Sequence, residues 1–422
     1  MRVAVDVTSL VGTRTGIGAF TDALITRLPR ADLNVTAFAV THRGADAIRP
    51  MLPASVKQTT RPMAARPLRW AWRHFERPRI EFWTGAIDVV HGPNFVVPPA
   101  RSAAEVVTVH DLTCVRFPEL CTPDTLRVPE LIRRAIKRGA WIHTVSGSVA
   151  LEVIEHFGAD PARVVAIPNG APAPVDPTDC ERLAARGRVI AGSDQYVLGL
   201  GTVEPRKDFP ALVAAFDAIA DSRPDLRLVI AGPDGWGAEA VAKAFASAHH
   251  RDRIVRLGWV SDDDRDALLA GAAVFAYPSL YEGFGLPPLE ALAHRTPVVA
   301  TNTGALPEVL GAAAAWADVS NVDSLAEAIS SVLDNETLGT DIVTAGLDRL
   351  AQFSWDTTVD SLVDLYRQAV EDRRALLGAV SRFRNSFGIS NSGIRGNAHE
   401  GARHRRSRIR RSASVRAPCR ER

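Results

Sequence analysis

Four cysteines, Cys114, Cys121, Cys180 and Cys419, are all that 422 residues contain. They show neither the paired spacing of a structural zinc site nor the density of a disulfide-held secreted scaffold, so a reducing cytoplasm suits them. No apolar stretch approaches the length that crosses a bilayer. The first residues run directly into a strand-like segment, so no secretory leader is expected. Also missing is a Gly-X-Gly-X-X-Gly set directly between strand and helix with an acidic partner downstream, which argues against a nicotinamide dehydrogenase. No Asp-X-Asp metal motif stands in a suitable loop. Asp262-Asp-Asp264 follows Ser261 and reads as the solvated start of a helix, where early acids are favoured.

What is present is an α/β pattern. With 46% hydrophobic and only 6% aromatic residues, the chain is long enough for two ordinary domains with separate cores. Apolar runs over 3–7, 35–40, 87–90, 106–109, 142–145 and 164–167 alternate with amphipathic segments, which implies a parallel, doubly wound sheet. The same pattern returns over 196–200, 226–231, 254–257, 273–277 and 298–301. Between them, residues 171–194 carry Pro172, Pro174 and Pro177 and read as a linker. The expected organisation is therefore a first Rossmann-like domain over 1–170, a second over 195–353, and a final helix over 354–377. On that helix Trp355, Val359, Leu362, Val363 and Tyr366 share one face.

The formal charge of +2 conceals an asymmetry, because residues 373–422 hold fourteen Arg against two acids and leave about −10 on the remainder. Affinity for nucleic acid comes mostly from clustered Lys and Arg, so nucleic acid is not expected as a substrate of the acidic body. Residues 378–422 read as a disordered basic tail. A non-essential extension is the simpler account of it; contact with anionic lipid or nucleic acid is the alternative.

Two clusters carry chemistry. Tyr281-Glu-Gly-Phe-Gly-Leu-Pro-Pro-Leu-Glu290 follows a core strand and leads into a helix whose first turn suits Pro287 and Pro288. Gly283 and Gly285 let backbone approach a ligand closely, and Phe284 and Leu286 belong to the same amide-bearing loop. Glu282 and Glu290 accept hydrogen bonds from hydroxyls; Glu290 is placed on the first turn of the helix, where partnership with the helix dipole is the plain alternative. Gly201-Thr-Val-Glu-Pro-Arg-Lys207 follows another strand end, where ligands of open α/β sheets gather. Arg206 and Lys207 suit a diphosphate, the first by bidentate bonds and the second as a point charge; a solvated cap is the alternative.

These clusters occur with Thr15-Gly-Ile-Gly18, His110-Asp111, Thr144-Val-Ser146, Pro168-Asn-Gly170 and Gly304-Ala-Leu-Pro-Glu308. In this order, over residues 1–373, they resemble the retaining glycosyltransferases of family 4. The resemblance implies the GT-B fold, with two Rossmann-like doubly wound domains facing a cleft and the C-terminal helix crossing back onto the first. It implies a metal-independent transfer with no cofactor besides a nucleotide-sugar donor. Arg206 and Lys207 would hold the leaving phosphate, with amides of the 283–286 loop assisting. Glu282 would contact the donor sugar and Glu290 the ribose. Gly16 and Gly18 would bring first-domain amides towards the diphosphate and acceptor, and His110 would orient groups or handle a proton near the sugar. A core or capping histidine is the alternative for His110, and Asp111 either orients it or caps the next segment. Gly304-Ala-Leu-Pro-Glu308 is either a further phosphate or ribose contact or a helix start. Thr15 and Thr303 depart from the family pattern, which often has Gly at both places.

The His110-Asp111-Leu-Thr run with Pro118-Glu119 is most similar to members that use GDP-mannose in polysaccharide or glycolipid assembly. A glycan or lipid-linked acceptor is therefore expected, at the cytoplasmic side of a membrane. Residues 66–83 interleave Arg69, Arg73, Arg77 and Arg79 with Trp70, Trp72, Phe75, Phe82 and Trp83, a composition suited to a peripheral membrane contact and equally to packing on the first core. The competing functions are a GT-B sugar-nucleotide epimerase, and a non-enzymatic nucleotide-sugar-binding or membrane adaptor protein, for which the Arg206, Lys207 and Glu282 set would be superfluous.

Overall fold

The computed structural model describes residues 1–12, 16–41 and 44–386. Residues 1–374 form one compact unit built on two parallel sheets. The first sheet contains β1 (Arg2–Asp6), β2 (Asn34–Phe38), β3 (Lys57–Gln58), β4 (Val89–Gly92), β5 (Ala104–Val109), β6 (Trp141–Thr144) and β7 (Val164–Ala166), in the order β3-β2-β1-β4-β5-β6-β7. The second contains β8 (Tyr196–Leu200), β9 (Arg227–Ala231), β10 (Ile254–Gly258), β11 (Val274–Tyr277), β12 (Val298–Thr301) and β13 (Ala315–Ala317), in the order β10-β9-β8-β11-β12-β13. In both sheets the strand order reverses beside the sheet's first strand, the place where ligands of such sheets bind. The central strands are near-continuous apolar runs because helices cover both faces. β3 and β13 were not expected: they are edge strands of two and three residues, too short for a periodic signal.

Three boundaries differ from the sequence expectations. The stretch 171–194 is not all linker. Pro177–Ala191 is a helix capped by the Asp176 side chain, and it packs closely on the helix Asp262–Gly271. A Cβ on Gly187 would lie 2.0 Å from the Ala267 carbonyl oxygen, so the contact requires glycine. Its prolines stand before the helix and at its first position, where a missing amide hydrogen costs nothing. The terminal helix runs over Trp355–Ser386, past the expected end at 377. The basic tail expected from 378 therefore begins as helix, and its part beyond 386 lies outside the described residues.

The crossover implied by the resemblance is present. Val359, Leu362, Val363, Leu365, Tyr366 and Ala369 join the same core as Val3, Val5, Phe20 and Val106 of the first sheet and its helices. Pro168-Asn-Gly170 receives the helix: a Cβ on Gly170 would lie 2.3 Å from the Trp355 amide nitrogen, and Thr358 donates to the Pro168 carbonyl at 2.8 Å.

A polar chain runs through this apolar junction. His143 Nε2 lies 2.9 Å from the Ile167 carbonyl, which only accepts, so Nε2 bears the proton and Nδ1 accepts from Thr108 at 2.9 Å. Thr108 Oγ1 must then accept from His91 Nε2 at 2.7 Å, leaving His91 Nδ1 to accept from the Tyr366 hydroxyl at 2.6 Å. Each bond fixes the direction of the next, and every polar atom is satisfied only with both imidazoles neutral.

Burial holds His143 down to about 3 from the ordinary 6.5, and burial with neighbouring His143 and His110 lowers His91 well below it. The unfolded chain therefore binds more protons below the ordinary imidazole value, and stability present above about pH 6.5 should decline progressively as the pH falls towards 3. Thr108→Val should remove both middle bonds and lower unfolding free energy by about 1–3 kcal/mol at pH 8, measured by denaturant titration. An unchanged midpoint would show that the chain contributes nothing.

Candidate active site

The second sheet presents its strand ends to the site. After β8, Gly201 takes φ +143° and the chain makes a short turn over Pro205–Lys207, ending at Asp208 with φ +47°. After β11, the segment 278–285 leads to the helix Leu286–Ala293, entered through Gly285 at φ +98°. Pro287 and Pro288 occupy its first turn as expected. Glu290 is the fifth residue of that helix and so lies on the second turn, not the first. A helix-dipole role for it loses its footing, because the dipole acts mainly over the first turn.

Arg206, Lys207 and Glu282 converge. Glu282 Oε1 is 2.6 Å from an Arg206 terminal nitrogen and 2.7 Å from Lys207 Nζ. Arg206 also donates to the Tyr281 carbonyl at 2.8 Å and to Glu204 at 2.6 Å, while Lys207 donates to the Tyr277 hydroxyl at 2.5 Å. The set is buried, with Lys207 8% and Glu282 7% exposed. Burial pushes the Glu282 carboxyl up, but Arg206 and Lys207 outweigh it and hold the group at about 2. Burial lowers Lys207, with Glu282 opposing, and Glu282 and Glu204 overcome burial to raise Arg206. A solvated cap is thereby excluded for both cations. Lys207 carries three donors and uses two, so one remains for a ligand.

Glu290 stands in a different field. Burial raises its carboxyl, opposed by Arg265, and Asp266, His294 and Asp262 also stand near it. It lines the same loop-helix unit without joining the Glu282 cluster. Asp262, Asp263 and Asp264 occupy the first turn of their helix, which Ser261 caps, as the sequence suggested.

The first sheet supplies the opposite wall. A Cβ on Gly283 would lie 1.7 Å from the His110 carbonyl oxygen and 3.0 Å from Asp111 Cβ, so only glycine permits the two lobes to meet there. Gly16 opens the helix Gly16–Arg27 and would place a Cβ 3.9 Å from Leu286 Cδ1; Gly18 is buried in that helix, and Thr15 lies outside the described residues. Phe284 is buried edge-on against Phe353. His110 is buried between Phe20 and Phe95, and its Nε2 donates to the Pro93 carbonyl at 2.7 Å. Burial lowers its pKa, so the ring is neutral and Nδ1 keeps a lone pair. Asp111 accepts from the Thr113 amide at 2.9 Å, a local turn bond just before the helix Thr113–Arg116.

Other motifs join the lobes. Ser146 caps the helix Gly147–Phe157 and donates to the Gly283 carbonyl at 2.8 Å. Glu308 lies in the first turn of the helix Leu306–Leu310 and accepts from the Gly147 and Ser148 amides, each at 2.8 Å, so its carboxylate bridges the lobes. Gly304 is required beside Glu282, since a Cβ would lie 2.2 Å from that residue's carbonyl oxygen, and Thr303 donates to the Leu280 carbonyl at 3.0 Å. Sequence reasoning missed Tyr277, Glu204, and the Tyr281 hydroxyl, which donates to Glu152 at 2.5 Å and accepts from the Leu112 amide at 3.2 Å. Only a tyrosine ending an otherwise apolar strand gave a signal for the first.

Residues 184–349 match the family profile described as Glycosyl transferases group 1, and residues 14–173 match Glycosyltransferase Family 4. Over 284 residues the chain is 32% identical to the O-antigen chain mannosyltransferase B of Escherichia coli, covering 66% of this chain and 74% of that one. It is 29% identical over 363 residues to a D-inositol 3-phosphate glycosyltransferase of Kineococcus radiotolerans, covering 78% and 80%. Among solved structures, Anabaena Alr3699/HepE in complex with UDP and glucose superposes with a TM-score of 0.68 at 17% identity, over 87% of this chain and 100% of that one. That likeness establishes the fold.

Glu282→Ala should strand two buried cations and cost about 3–5 kcal/mol of stability, whereas Lys207→Met should cost less because Arg206 still neutralises the carboxylate. Denaturant melts of both variants check the order, and equal losses would show that Glu282 is not the shared counter-ion.

Proposed function

The chain belongs to the family-4 glycosyltransferases of GT-B fold, and we propose that it transfers mannose from GDP-mannose, with retention of configuration, to a glycan or lipid-linked acceptor on the cytoplasmic side of a membrane. The observation that carries this is the meeting of Arg206, Lys207 and Glu282 beside the loop where Gly283 abuts His110 and Leu286 abuts Gly16. The mannosyltransferase among its relatives supports the choice of sugar.

In the proposed reaction the bond from the sugar's anomeric carbon to the diphosphate breaks while the acceptor oxygen forms its bond on the same face. The acceptor's hydroxyl proton leaves on the departing diphosphate. Arg206 and Lys207 are fixed before the reaction begins, so their charge stabilises the departing phosphate without reorganisation, and no metal ion is required for that task. Glu282, held ionised by the same cations, accepts hydrogen bonds from sugar hydroxyls. Neutral His110 offers its Nδ1 lone pair to a hydroxyl, which orients it. Glu290, outside the charged trio, is the residue for the ribose. The amides of the 283–286 loop supply further donors, and the apposed lobes exclude water that would hydrolyse the sugar.

Residues 66–83 support a peripheral membrane contact. The structure divides the segment: Leu68, Trp72 and Ile80 pack in the first core, whereas Trp70, Phe75 and Phe82 are 57%, 64% and 62% exposed. Exposed aromatics among arginines suit the headgroup layer of an anionic bilayer. Among the described residues no helix is long and apolar enough to cross a membrane.

GDP-mannose at 100 times its dissociation constant should stabilise the protein by about 2.7 kcal/mol in thermal-shift assays, more than UDP or ADP sugars at equal concentration. Lys207→Ala should lower turnover about 100-fold or more, and turnover should survive chelator. A flat thermal response to every donor would defeat the assignment, as would sugar-nucleotide isomerisation with no transferred product. In sedimentation with phosphatidylglycerol vesicles, Trp70→Ser, Phe75→Ser and Phe82→Ser together should reduce recovery at least fivefold; unchanged recovery would remove the membrane contact.

A further inference from the structure

Tyr281 belongs to one lobe by its backbone and to the other by its side chain. It stands between β11 and Glu282, and its carbonyl accepts from Arg206 at 2.8 Å, while the Arg206 carbonyl accepts from the neighbouring Leu280 amide at 2.8 Å. Its ring is seated against the first lobe, and the residue is 1% exposed. The hydroxyl donates to Glu152 on the helix Gly147–Phe157 at 2.5 Å and accepts from the amide of Leu112, two residues after His110, at 3.2 Å. Glu152 is held in turn: its other oxygen accepts from Arg116 at 2.5 Å, and that guanidinium lies over the Tyr281 ring, 5.5 Å from the centroid. The Phe117 ring completes the seat at 6.1 Å.

Packing alone would be served as well by phenylalanine. The hydroxyl adds a charge-assisted bond to a carboxylate already paired with Arg116, and it satisfies a backbone amide just where the chain leaves His110. Burial raises the phenol and Glu152 raises it further, so the hydroxyl keeps its proton and donates. A stiff side chain with two torsions therefore spans from the backbone that holds Arg206 to the segment that carries His110. Group transfer is sensitive to such spans, because a misplacement of about 1 Å can cost about 100-fold in rate. We propose that Tyr281 is a positioning residue for the transfer: its hydroxyl, received by Glu152 and Leu112, sets Arg206 and Glu282 of the second lobe in register with His110 of the first. It touches neither sugar nor phosphate and acts through these neighbours. The inference rests on the glycosyltransferase reading for the transfer, but not for the coupling between the lobes.

Tyr281→Phe keeps the ring, its packing and the carbonyl, and removes only the hydroxyl. With GDP-mannose as donor and octyl α-mannoside as acceptor probe, kcat should fall about tenfold or more, while KM for GDP-mannose and calorimetric GDP affinity change less than about twofold. Glu152→Leu should reproduce the loss, and the double variant should lose no more than either alone, because the same bond is broken in all three. In hydrogen–deuterium exchange of the free protein, the peptide 110–117 should exchange about fivefold faster or more in Tyr281→Phe, with the strand 196–200 unchanged. Wild-type kcat in Tyr281→Phe, losses that multiply in the double variant, or unchanged exchange over 110–117 would each overturn the proposal. So would a loss of GDP affinity equal to the loss of kcat, which would confine the hydroxyl's effect to the donor lobe. A wild type that neither binds GDP nor transfers sugar would count against the glycosyltransferase reading instead, and the exchange rates would still decide the coupling.

Discussion

One carboxylate oxygen shared between two buried cations is the interaction around which the catalytic lobe is arranged. Without Glu282, Arg206 and Lys207 would be two adjacent positive charges removed from water without their shared counter-ion, a costly state. With it, they are held in one orientation by Glu204, Tyr277 and the Tyr281 carbonyl while keeping donors to spare. The backbone around Glu282 is fixed as tightly. Its carbonyl accepts the Ala305 amide at 2.8 Å, and Gly304 leaves no room for a side chain beside it. The geometry of the site is thus decided by charge neutralisation inside a single lobe, before any partner or substrate arrives.

The first lobe contributes His110 and a backbone packed closely on the Gly283 loop. His110 is neutral, its ring is edge-packed by Phe20 and Phe95, and its carbonyl oxygen presses against Gly283. Where His91 and His143 have both ring nitrogens committed to the chain between Tyr366 and Ile167, His110 keeps one in reserve. That difference in bonding separates a histidine able to meet a substrate from two that hold the crossover helix in place.

Much of this was legible in the amino-acid order. Central strands announced themselves because they are buried on both faces and carry unbroken apolar runs. The edge strands β3 and β13 did not, being too short to show a period. The two charged motifs stood out because Arg-Lys and Glu-Gly-Phe-Gly follow strand ends, but their mutual contact spans 75 positions and no local pattern records it. Pro177 was read as part of a linker, whereas proline at a helix start is equally at home; only the packing of Gly187 on Ala267 decides. The motif around Glu308 was read as a phosphate or ribose contact or a helix start; the helix is there, but the bridge from Glu308 to an amide 160 positions earlier is invisible in sequence.

The Glu308 bridge between the lobes differs in kind from the bonds that build the site. Glu308 is exposed, and the Gly147 and Ser148 amides it accepts from can turn to solvent as readily as to a carboxylate. Solvent can therefore exchange for every partner in that bridge, whereas nothing can exchange for Glu282. That bridge can break and reform against water while the charged centre stays intact, whereas Ser146 and Tyr281 hold the same junction by buried bonds.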